Sequence, residues 1–182
     1  QVLKSEADAE SLYNEARKKL LDVNNWNKVA GIITAQFQIV DENGKEVSRE
    51  VKKGDYLRVD IPGPGSKEGD GYDWVFVEEV NEINNGSIQS VGFRVRPDKN
   101  PFGDKNETAH FYSKEATSSF IIIRENAKVI SWIVDRNLLP NTESESLVDK
   151  VRDVAVGISA IAGFSKVQWQ GLADGLVKNT NE

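Results

Sequence analysis

The apolar residues change their spacing twice along the chain, and that change constrains the fold more than any motif does. Leu12, Ala16, Leu20 and Val23 recur at intervals of three and four, which lines one face of an α-helix. From Ile33 the interval drops to two, the period of a strand with one buried face. Beyond Thr142 it returns to three and four, through Leu147, Val151, Val154, Ile158, Ile161, Trp169, Leu172 and Leu176. Helix, then a run of strands, then helix reads as α+β, with the helices covering one face of an antiparallel sheet.

Local signals sharpen the outline. Ser5 with Asp8 resembles a capping box, so the first helix is expected over 5–23, with acids early and bases late to suit its dipole. Asn24-Asn25 end it, and Trp26 is expected to pack its end onto the core. Ile33, Ala35, Phe37 and Ile39 share one face of the first strand. Asn43-Gly44 is a strong hairpin signal, which makes Lys45–Val51 an expected polar edge strand. Further strands are expected over 56–61, 74–80, 88–96, 118–124 and 129–136, with an extended piece at 110–112. Thr142-x-x-Glu145 reads as the cap of a long C-terminal helix. That helix is either continuous or broken at Gly163, with Ser165-x-x-Gln168 capping a second piece.

The expected architecture is a single domain over 1–182. A curved antiparallel sheet of about six to seven strands carries an N-terminal helix and a long C-terminal helix packed on it. In outline this resembles the helix-grip folds that enclose lipids and other apolar ligands. The resemblance is one of architecture, and no site residue is carried over from it.

Composition narrows the functions. The 182 residues include no Cys, so disulfides, thiol nucleophiles and cysteine zinc sites are excluded. Lys and Arg number 23 against 29 acids, a net charge of −6 with the signs interspersed. Phosphate backbones attract clustered bases, so nucleic-acid binding is disfavoured. No apolar run approaches the roughly 20 residues that span a bilayer. The reading places the chain in the cytoplasm, although a start at Gln1 in a chain without Met leaves secretion open.

Few residues point to chemistry. The segment Ile61–Trp74, IPGPGSKEGDGYDW, holds four glycines, two prolines and three acids. A phosphate cradle would open a helix, whereas these glycines lead into a strand. Glu68, Asp70 and Asp73 offer hard oxygen ligands for calcium, but their spacing is not that of an EF-hand. The segment reads as a stiff connection that makes contacts. His110 is the only histidine. With Ser113, Thr117, Ser118 or Ser119 and with Asp135 it could serve a hydrolase or isomerase, yet no nucleophile elbow accompanies it. No catalytic residue, metal ligand or cofactor is assigned.

A binding role is favoured over catalysis. Arg94 and Arg96 share one strand face, His110 and Tyr112 another, and Arg136 ends a face carrying Ile130, Trp132 and Val134. If these faces coincide, they make a polar pocket for an acidic head, with Trp132, Phe93, Phe120 and Trp169 as apolar walls. The expected ligand-binding residues are Arg94, Arg96, His110, Tyr112, Trp132, Arg136 and Trp169. The expected partner is a small amphipathic ligand or another protein. The alternative is a structural module of a larger assembly. Small residues along the C-terminal stripe, Gly157, Gly163, Gly171 and Gly175, also allow a homodimer through that helix.

Overall fold

The computed structural model describes residues 1–31, 35–61, 69–104, 106–139, 141 and 155–178. It is an α+β structure built on one open, curved, six-stranded antiparallel sheet. Helix α1 spans Glu6–Leu21, and a short helix α2 spans Trp26–Val29. The strands are β1 Gln36–Val40, β2 Tyr56–Asp60, β3 Asp73–Asn85, β4 Ile88–Pro97, β5 Thr117–Glu125 and β6 Lys128–Arg136. Helix α3 spans Ala155–Leu176. Strand order follows chain order from β1 to β6. No helix among the described residues is long and apolar enough to cross a membrane.

Helix α1 begins where the sequence places it. The Asp8 N–H donates to Ser5 Oγ, and the Ser5 hydroxyl donates to the Asp8 carboxylate. Its stripe of Leu12, Ala16 and Leu20 is buried against the sheet, with the packing made mainly on β5 and β6. The chain then turns through Val23–Asn25, and the Trp26 indole enters the core at 1% exposure. Its Nε1–H donates to Leu20 O, so the one polar atom of the ring is satisfied. Phe37, Phe93 and Phe120 lie around it, with ring centroids 5.3, 5.8 and 4.8 Å away.

Two expectations change. Gly44 does turn the chain, at φ 80° and with its N–H donating to Asp41 O. The returning segment, however, is not a strand. It keeps one bridge, Val40 to Glu46, made by the bonds from Asp41 N–H to Lys45 O and from Val47 N–H to Ile39 O. Helix α1 diverts it: buried Val51 donates its N–H to Leu21 O, and Glu50 pairs with Arg17 at 2.9 Å. The piece around His110 is likewise irregular apart from a bridge at Tyr112. These two losses leave six strands.

The C-terminal helix runs without a break through Gly163 and Ser165. The capping box at 142–145 lies outside the described residues, as do Leu147, Val151 and Val154. Helix α3 packs on β6 and on α2. The α2 contact is close because Gly171 and Gly175 face it: a Cβ added at Gly175 would lie 1.9 Å from Val29 O, and one at Gly171 2.9 Å from Ala30 O. Within the chain, those two glycines are committed to helix α2.

On the opposite side of the sheet, Trp74, Val40 and Ala109 form a small second cluster with Tyr56 and Tyr72. The end of the glycine-rich segment belongs to it. Tyr72 N–H closes a tight turn onto Gly69 O, Gly71 takes φ 92°, and Asp70 accepts from Asn100 Nδ2 at 2.9 Å. Residues 62–68, including Glu68, lie outside the described residues, and the described part acts as a tied turn.

Candidate functional site

A cavity of about 60 Å³ lies between the inner face of the sheet, α2 and the middle of α3. Strand alternation builds most of its wall. Leu57 and Val59 of β2, Val75 of β3, Val95 of β4 and Phe120 of β5 all point inward, because inward residues recur at every second position. Trp26 and Trp169 close it from the helical side, with ring centroids 6.4 Å apart. Trp169 also meets Phe120 edge-on at 5.1 Å.

The polar lining is small and specific: His110, Tyr112, Ser118, Asp135 and Gln168. Ser118 and Asp135 are register partners on β5 and β6, both facing inward, and the Ser118 hydroxyl donates to Asp135 Oδ1 at 2.6 Å. Burial pushes the Asp135 carboxyl above its ordinary range, against the opposing pull of the Ser118 bond. His110 Nδ1 accepts the Tyr112 N–H at 2.9 Å. A neutral ring that accepts through Nδ1 carries its proton on Nε2, so the remaining nitrogen is a donor. The ring keeps some accessible surface, yet it sits deep among protein atoms. Burial pushes its pKa down to about 3, only partly offset by the Tyr112 contact. At neutral pH this histidine is an uncharged donor and a weak base.

Gln168 is the least expected member. It is 6% exposed, and its Oε1 has no hydrogen-bond partner among the described residues. Leaving a buried acceptor unpaired costs about 1–3 kcal/mol. The signal was present in the sequence: Gln168, Leu172 and Leu176 are spaced by four, so a polar residue stands on the buried stripe.

Of the seven expected ligand-binding residues, His110, Tyr112 and Trp169 meet at this cavity, together with Phe120, expected as an apolar wall, and Ser118 and Asp135, named from sequence beside His110. The others lie elsewhere. Arg94 and Arg96 project from the outer face, where a β-bulge between Val77 and Glu79 brings Glu78 between them. Each donates from Nε to Glu78 at 2.6 Å. Burial alone would raise the Glu78 carboxyl, but the two guanidiniums outweigh it and hold it below the usual range. Trp132, 56% exposed, pairs with Ile121 on that same outer face. Arg136 is exposed where β6 ends, one residue past inward-facing Asp135. No arginine or lysine is among the described residues that line the cavity, and no cluster of possible metal ligands occurs among the described residues.

No family model matches this chain, and neither a curated protein nor a solved structure is significantly similar to it.

Proposed function

We propose that this domain binds a small amphipathic molecule in the cavity between the sheet and helix α3. What supports the reading most is the pairing of apolar walls with an unmet polar need: buried Gln168 Oε1 has no partner among the described residues and stands beside a space bounded by Trp26, Phe120 and Trp169. Ligand sites in general combine an apolar lining with a few convergent polar groups. The scale of the space limits the ligand. A cavity of roughly 150 Å³ takes up benzene, so about 60 Å³ admits only a few non-hydrogen atoms, or the end of a longer molecule.

The test uses three six-carbon probes that differ in their heads: hexanol, hexylammonium and hexanoate. Each is titrated while the indole N–H resonances are followed. Trp26 and Trp169 line the cavity, whereas Trp74 and Trp132 lie away from it and serve as internal controls. A saturable shift of the first pair alone is expected with at least one probe. Val59→Phe, which fills the cavity from β2, should remove the response while the protein still unfolds cooperatively. If none of the three probes moves the Trp26 and Trp169 signals, the reading is wrong.

A further inference from the structure

We infer that the polar lining of the cavity suits a neutral hydroxyl group, one that both donates and accepts, and that it discriminates against carboxylate and ammonium heads. The inference rests on the ligand-binding reading above and adds the chemical class of the head group.

The lining supplies two kinds of partner. On the accepting side stand Gln168 Oε1, which has no donor among the described residues, and the Asp135 carboxyl, which takes one hydrogen bond from Ser118. On the donating side stand the Nε2–H of His110, because Nδ1 is occupied by the Tyr112 N–H, and the amide N–H groups of Gln168 itself. A hydroxyl offers one hydrogen and two lone pairs, so it can donate to Gln168 or Asp135 and accept from His110.

Neither charged homologue matches that set. A carboxylate only accepts, so it leaves Gln168 Oε1 unmet and is brought up to another carboxyl. Its own charge finds no arginine or lysine among the described lining residues. Charge burial without a partner is strongly unfavourable. An ammonium only donates, so it leaves the imidazole N–H unpaired. It would also rely on Asp135, whose buried surroundings already disfavour the ionised form. Arg94 and Arg96, the cations that would suit an acidic head, face away and are held by Glu78.

The order of affinity among the same three probes decides the matter. Hexanol should bind at least about tenfold more tightly than hexanoate or hexylammonium, the ratio expected when one buried polar group is left unpaired. Gln168→Met keeps the side-chain length and removes the acceptor. It should weaken hexanol binding and narrow the gap to the charged probes, with little loss in melting temperature, since the group it removes is already unsatisfied. Hexanoate or hexylammonium binding as tightly as hexanol would overturn the inference while leaving a ligand site in place. A gap between hexanol and the charged probes that stays as wide in Gln168→Met as in the parent protein would overturn it as well. Failure of all three probes would instead remove the binding reading on which it stands.

Discussion

Gly175 lies so close to α2 that a methyl group on its Cα would sit 1.9 Å from the carbonyl oxygen of Val29. Backbone meets backbone there, and neither side can rotate away. Glycine inside a helix ordinarily costs about 1 kcal/mol relative to alanine, so the contact has to outweigh that cost.

Gly175→Ala should therefore destabilise the protein despite its better helix propensity. Overpacking of this kind costs about 1–3 kcal/mol. Gly171→Ala, which meets Ala30 O at 2.9 Å, should cost less. Chemical denaturation of both variants measures the order, and a stabilised Gly175→Ala protein would show that α2 and α3 do not meet in this way.

A second expectation concerns pH. Asp73 is 7% exposed, and burial pushes its carboxyl up to about 7 from 3.8. The folded chain thus keeps a proton that the unfolded chain releases near pH 4. Stability contributed by this group is fully present below about pH 4 and is lost as pH rises towards about 7, by up to about 4 kcal/mol. Asp73→Asn should abolish that slope. Its advantage over the parent protein should be large at pH 7.5 and small at pH 4.5, and an equal difference at both values would refute the assignment.

A third expectation concerns the far end of the sheet. Arg124 is 4% exposed and is held by neutral acceptors: Nε donates to Gln89 Oε1 at 2.6 Å, and Nη2 donates to Gly86 O at 2.6 Å. Gln89 and Arg124 are register partners on β4 and β5. Arg124→Leu strands these acceptors and should cost about 3 kcal/mol. The double variant Gln89→Leu with Arg124→Leu should lose less than the sum of the two single changes. Strict additivity in a denaturation cycle would argue that the pair is not coupled.

Periodicity made much of this fold legible. The stripe of Leu12, Ala16 and Leu20 and the inward sets of β2 and β4 are read directly from spacing, because burial on one face demands it. The segment at 45–51 misleads because a good turn at Gly44 guarantees only a reversal. Whether the return pairs depends on distant claims, here those of Leu21 and Arg17 on Val51 and Glu50. The site was legible in part. Parity correctly grouped Arg94 with Arg96, but it cannot say which face the irregular segment carrying His110 will approach. Gln168 was visible as a polar residue on an apolar stripe, yet the same residue also fitted a helix cap, and only the unbroken course of α3 separates the two.

Strands that neighbour one another in space as they do along the chain keep the sheet's pairing between consecutive segments, which lowers the contact order of that part of the fold. Helix α3 comes last and must reach back to α2, across well over half of the polypeptide. Without it, Trp26, Phe37 and Phe120 would lose the cover that Trp169 gives them from the helical side, so the aromatic core is completed only by the helix most distant from it in sequence.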